Sequence, residues 1–267
     1  MKRILSTLLL LPIFVANYTT AQNTNTSNGS DPYKIYYDPN DSIDAKRINR
    51  WLEEGRQEVI SFFGKDYPRY FEVHLFSDRD SLDKQWQKDW NMPEFKSQCW
   101  MVASGIGHRL DILSPRTWGH QACEHDILDT LATKKIIIHE MIHVFHGQQN
   151  PSPTFENIDN IDWFVEGIAV YASGQLDEKR YKDARDFIIK NGGPDMLSDI
   201  WKGENRYGLA GSIAQYIDDN YGRFILVYLL GLTTADEILN YLKISEEQLI
   251  LDWKNSVILN ESVQNKK

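Results

Sequence analysis

Ile136-Ile-Ile-His139-Glu140-Met-Ile-His143-Val-Phe145 is the stretch from which the rest of the chain is read. At about 100° per residue, His139 and His143 lie within roughly 40° of each other on a helix and point at one spot from successive turns. That is the bite two imidazoles need on one Zn²⁺, and Glu140 follows about 100° away, beside the ligand pair. Apolar neighbours on every side predict a buried helix, and buried histidines need partners. Two partners are open at this point: a metal ion, or the backbone and carboxylate hydrogen bonds of an ordinary core. A catalytic zinc also needs a third protein ligand and one open position. Downstream, Trp163-Phe-Val-Glu166-Gly-Ile-Ala169 places Glu166 in an otherwise apolar helix. A lone carboxylate there is costly unless it meets a cation, or unless it lies on an exposed face. Asp162 is the expected N-cap of that helix.

Together the two motifs resemble those of gluzincin metallopeptidases of the thermolysin and aminopeptidase N kind, and in particular the small bacterial peptidase-MA-like proteins. The resemblance covers roughly residues 100–230. It implies a zincin-like fold, with His139, His143 and Glu166 as ligands of one Zn²⁺ and Glu140 as catalytic base. The 22 residues between His143 and Glu166 are a few more than is usual in those enzymes, and the polar run Gln148 to Asn160 accommodates them. A third element, Arg206-Tyr207-Gly-Leu-Ala-Gly-Ser followed by Asp219-Asn-Tyr-Gly222, is similar to a tyrosine-led helix of the peptidase-MA group. By that likeness Tyr207 is the oxyanion donor, with Arg206 a weaker alternative and simple packing at a helix start the competing reading. The zincin likeness also implies that the strand Arg109–Leu113 is the edge that pairs with an extended peptide. The glycine-rich segment Ala103-Ser-Gly-Ile-Gly107 lacks the glutamate with which aminopeptidases hold a substrate's amino terminus, which leans toward an endopeptidase or another specificity without deciding between endo- and exopeptidase.

The other histidines are weaker candidates. His146 falls about 20° from His139 on the helical wheel. It reads as a cleft-lining or supporting group, with a fourth-ligand role as the alternative. His108, His120 and His125 fall between the strands and the metal helix. Glu124-His125-Asp126 reads as the cap of that helix, with orientation of a ligand imidazole as the alternative.

Outward from the motifs, the two sides of the chain differ. Upstream, Lys34–Tyr37, Phe71–Phe76, Cys99–Ser104 and Arg109–Leu113 read as strands, with helices over 42–63 and 80–90. Downstream, helical spacing dominates over 126–148, 162–175, 178–191, 207–221, 223–231, 234–243 and 245–259. The expected architecture is α+β: a small N-terminal mixed sheet, then a mainly helical part, with the active site between them. Residues 33–260 form one expected metallopeptidase domain, preceded by a polar linker over 22–32 and followed by a polar tail over 261–267.

Residues 1–21 have the layout of a signal peptide: Lys2-Arg3, an apolar run from Ile4 to Val15, then a polar segment ending at Ala21. The mature protein is thus expected in the periplasm or outside the cell, without stable membrane association. In such a compartment Cys99 and Cys123, the only cysteines, are candidates for a disulfide, with two buried thiols as the alternative. The net charge of −9 and the lack of a basic cluster argue against nucleic-acid binding. The expected partner is a peptide or protein substrate. Two alternatives stand beside a peptidase: a zinc hydrolase of another secreted polymer, such as peptidoglycan peptide, and a non-catalytic zinc-binding protein. Oligomeric state is not legible in the sequence.

Overall fold

The computed structural model describes residues 19–20 and 31–259. Apart from Thr19–Thr20, the expected leader lies outside the described residues, as do most of the linker and the whole tail. The first half alternates strand and helix: β1 (Thr19–Thr20), β2 (Tyr33–Tyr37), α1 (Ser42–Phe63), β3 (Phe71–Phe76), α2 (Arg79–Asp89), β4 (Ala103–Ile106) and β5 (Arg109–Leu113). The sheet order is β1-β2-β3-β5-β4. The three inner strands are parallel, and β1 and β4 run antiparallel at the two margins.

Period-2 alternation sorts the side chains of this sheet. Ile35, Val73 and Leu110 are in register and buried on one face, against α1 and the helix that carries His139 and His143. On the other face His74 is in register with Asp111, whose carboxylate accepts a 3.0 Å hydrogen bond from the Trp86 indole of α2. Trp86, Phe76, Leu82, Leu113 and Trp118 form a second, smaller core there. The start of α1 is tied to the strand ends: buried Asp41 accepts from the hydroxyls of Ser77 and Ser114 and pairs with Arg116. The helix stops at Gly64, whose φ of 70° suits a residue without a side chain.

From α3 (Trp118–Gln121) onward the described chain is helical: α4 (Thr130–Gln149), α5 (Asp162–Ala172), α6 (Glu178–Asn191), α7 (Leu197–Ile200), α8 (Arg206–Tyr221), α9 (Arg223–Leu229), α10 (Ala235–Leu242) and α11 (Glu246–Leu259). The molecule is therefore α+β, a small mixed sheet followed by a mostly helical remainder. No helix among the described residues is long and apolar enough to cross a membrane.

Four local expectations need correction. The strand over Cys99–Ser104 starts only at Ala103, because the Arg79 guanidinium gathers the carbonyls of Gln98, Cys99 and Met101 and curls the chain before it. Arg109–Leu113 is an interior strand, because the turn at Gly107-His108 folds β4 back along its open side and makes β4 the margin. The helix that carries His139 and His143 begins at Thr130, with Asp129 as N-cap accepting from the Ala132 N–H; Asp126 instead accepts from the Leu128 N–H. Asp162 is the first residue of α5 and caps nothing, since the preceding Ile161 occupies the N-cap position.

Candidate metal centre

α4 lies between the sheet and the later helices, with its central turns buried. Its contact with the sheet is unusually close: a Cβ on Gly105 of β4 would lie 2.1 Å from the Glu140 carbonyl oxygen and 3.1 Å from the His143 Cβ. Only glycine allows that approach, so it seats the margin strand directly beside the histidine pair. One turn on, Gly107 and Gly147 face each other; a Cβ on Gly147 would lie 2.7 Å from the Gly107 nitrogen.

α5 reaches the same place from the other side. It packs along α8 through Gly167, where a Cβ would lie 2.3 Å from the Ala210 carbonyl oxygen. Glu166, one residue earlier, is thereby carried toward α4. The long connection between the two helices is well anchored. Asn150 donates to the carbonyls of Leu230 and Leu232, each at 2.9 Å, and Phe155 lies against the rings of His143 and His146.

The Nε2 atoms of His139 and His143 are 3.0 Å apart, and the Glu166 Oε2 is 3.4 Å from the first and 3.6 Å from the second. Metal–ligand bonds of about 2.0–2.2 Å in a tetrahedron put neighbouring ligand atoms roughly 3.3 Å apart, so three near-equal edges of this size fit a zinc ion. Both Nδ1 atoms are buried without a hydrogen-bond partner among the described residues. The polar contacts of these two side chains among the described residues are at the convergent Nε2 corner. Glu166 keeps 26% side-chain exposure, while the two histidines are at 8%.

The electrostatics agree with the geometry. Burial pushes the Glu166 carboxyl up, but the His143 and His139 imidazoles outweigh it and hold the group well below the usual carboxylate range. Burial pulls His143 down, yet Glu166 and then Glu140 raise it overall. Glu140, half-buried on α4, forms no ion pair among the described residues. Tyr207, at the start of α8, is half-buried. Burial raises its phenol first, Glu166 and Glu140 raise it further, and Arg206 opposes them. Both carboxylates thus act on the Tyr207 hydroxyl, one turn before Ala210, the residue that meets Gly167 beside Glu166.

His146 does not join the cluster. Fully buried, its ring packs on Phe155 and Phe164, and neither nitrogen has a partner in hydrogen-bonding geometry among the described residues. Burial first, and then the charge of His143, lower it to about 3. The nearby Leu230 carbonyl opposes this but is already engaged by the Asn150 amide. His108 and His120 are exposed, and His125 contacts the Trp100 carbonyl, neither capping α4 nor orienting a ligand.

Around Tyr207 stand Arg206, the weaker oxyanion candidate of the sequence, and three groups that sequence reasoning did not single out: Trp100, Arg180 and Trp201. The Arg206 guanidinium lies over the rings of Trp100, Trp201 and Tyr207, at 5.5, 5.5 and 5.1 Å. Arg180 lies over the Tyr207 ring at 5.9 Å. Trp100 is held by the platform before β4, which the Cys99–Cys123 disulfide and Arg79 brace. No spacing links residues 100, 180, 201 and 206; only the fold assembles them.

No family model matches the chain, and no curated protein matches it. Solved structures that match include the M1 zinc metallopeptidase from Deinococcus radiodurans, 12% identical with a TM-score of 0.46. The match covers 91% of this chain and 51% of that one, so the chain spans about half its length.

Proposed function

We propose that the protein is a zinc-dependent metallopeptidase of zincin-like fold, acting outside the cytoplasm on peptide or protein substrates. The observation that carries this is the triangle of His139 Nε2, His143 Nε2 and Glu166 Oε2, with edges of 3.0, 3.4 and 3.6 Å. A zinc ion held there supplies Lewis acidity toward the scissile carbonyl and toward water. Glu140, adjacent to the ligands and without an ion pair among the described residues, takes a proton from the attacking water and passes it to the leaving amine. The Tyr207 phenol donates to the carbonyl oxygen as that atom gains charge, a contribution of a few kcal/mol. The margin strand β4, not Arg109–Leu113, is the strand along which an extended peptide would lie. The Cys99–Cys123 disulfide supports an oxidising compartment.

A non-catalytic zinc site would need a fourth protein ligand. The metal-type group found among the described residues has three members, and His146 points elsewhere. Glu140→Gln is the test. The variant should hold zinc at the wild-type stoichiometry and cleave no member of a peptide library that the wild type cleaves. Wild-type turnover by Glu140→Gln would sink the mechanism. Zinc binding with no cleavage of peptides by the wild type, alongside release of cell-wall fragments, would move the substrate to peptidoglycan peptide.

A further inference from the structure

Four arginines of this acidic chain, Arg56, Arg109, Arg116 and Arg223, are each paired with an aspartate. Arg180 and Arg206 are not: among the described residues neither has a carboxylate partner. Arg180 spends one N–H on the Gln175 carbonyl at 2.7 Å; Arg206 reaches the Gly203 carbonyl at 3.3 Å and also the Tyr207 hydroxyl, which leaves further N–H groups of both guanidiniums for a ligand. Both lie over one ring, that of Tyr207, whose hydroxyl senses Glu140 and Glu166. Arg206 is further stacked on Trp100 and Trp201. Aromatic faces hold a guanidinium by its plane and leave its N–H edge free, the edge that binds carboxylates in bidentate fashion. Trp100 sits on a stiff support: Arg79 donates to Ser97, Gln98, Cys99 and Met101, and a disulfide closes the same platform.

We propose that Arg206 and Arg180 form a carboxylate-recognition site beside the candidate catalytic centre, making the protein selective for peptides with a negative charge next to the scissile bond. The proposal rests on the peptidase reading for the identity of the anion, since carboxylates are the anions an unmodified peptide offers. That carboxylate is either a free C-terminus or an aspartate or glutamate side chain. What sets this pair apart from the other arginines is position: both guanidiniums lie over the ring of one tyrosine at the start of α8, and Arg206 lies over two tryptophans as well. Lysine would not serve equally well at Arg206, because an ammonium presents no plane to the three rings.

Binding is measured on zinc-loaded Glu140→Gln, following tryptophan fluorescence from Trp100 and Trp201. The probes are three acetylated alanine peptides of equal length: one with a free C-terminal carboxylate, one amidated, and one amidated with an internal glutamate. Expected is a tenfold or greater preference for one charged peptide over the amidated neutral one; which charged peptide wins tells terminus from side chain. Adding Arg206→Gln or Arg180→Gln should bring that ratio toward one, and Arg206→Lys should leave it intermediate. Zinc content and thermal melting of each variant confirm folding. Equal affinity for charged and neutral peptides in Glu140→Gln overturns the proposal without any arginine variant. So does a charge preference that survives both arginine-to-glutamine changes. Charge-selective binding that depends on both arginines, with no cleavage by the wild type, keeps the anion site and rejects the peptidase reading.

Discussion

Gly167→Ala tests how the third ligand is positioned. The added Cβ would lie 2.3 Å from the Ala210 carbonyl oxygen, 2.9 Å from its carbon and 3.5 Å from its Cα. Ordinary contact begins near 3.4 Å, and the obstruction is backbone, so no side-chain rotation relieves it. α5 and α8 must therefore part by about 1 Å. Overpacking of this kind costs about 1–3 kcal/mol. Exchanging a helical glycine for alanine otherwise gains up to about 1 kcal/mol, so net destabilisation means that the clash exceeds that gain. In a domain of this size each kcal/mol moves the melting temperature by about 2–4 °C, so a net loss of about 1–2 kcal/mol lowers it by about 2–8 °C. The same shift moves Glu166, one residue away, relative to the histidines, and moves Tyr207, which shares α8 with Ala210. A displacement of about 1 Å costs on the order of 10²-fold in turnover. The control is Gly119→Ala, where an added Cβ meets nothing within 4 Å. Thermal melting, zinc competition against a chromophoric chelator and peptide cleavage are read on both variants. If Gly167→Ala matches Gly119→Ala in all three, the close helix contact does not position the ligand.

Three further outcomes are expected. Glu166→Ala should abolish the zinc-dependent rise in melting temperature, worth about 2.7 kcal/mol to the wild type at zinc a hundredfold above Kd; an undiminished rise would remove Glu166 from the ligand set. His146, lowered to about 3 when folded, takes up a proton on unfolding below its ordinary value near 6.5, so its stabilisation is complete above that value and lost as pH falls toward 3. The loss at pH 5 is on the order of 2 kcal/mol. His146→Leu should flatten the acid side of the metal-free stability profile, and an unchanged profile in chemical denaturation would refute the assignment. Reducing Cys99–Cys123, which closes a loop with a sequence separation of 24, should cost about 3 kcal/mol and relax the fluorescence of Trp100; a reduced protein that melts like the oxidised one would show the platform to be held by Arg79 alone.

How far residues alone reveal this molecule depends on the range of the forces involved. The helix over Glu178–Asn191 is legible to the residue, because its cap Asp177 and its terminal Gly192 are local signals. The helix over 162–175 is read three residues too long, because a left-handed Gly174 ends the regular turns after Ala172 while apolar spacing continues. The strand before Gly105 is misplaced because its boundary is set by Arg79, some 20 residues upstream. Strand order escapes a linear reading altogether: Arg109–Leu113 has the composition of any half-buried strand, and only the return of β4 removes it from the edge. At the metal centre, the relation of His139 to His143 follows from helix geometry. Their distance to Glu166 instead depends on the path of the intervening loop and on a glycine contact with α8. His146 shows the limit of the helical wheel: the angle that places it near His139 says nothing of the extra turn that carries it into the core, between two phenylalanines.

The glycine contacts along α4 also decide where the molecule can breathe. At Gly105, Gly107 and Gly147, main chain meets main chain without an intervening side chain, and the Gly107 N–H is bonded to the Pro153 carbonyl at 2.8 Å. Such a seam has no rotamers to exchange, so sheet margin and metal helix move as one slab. Any opening toward the candidate site then falls to the opposite wall, where the Arg206 guanidinium of α8 lies over the Trp100 ring. Stacked faces slide at little cost, so slower amide exchange along the glycine seam than at the start of α8 is the expected signature of this division.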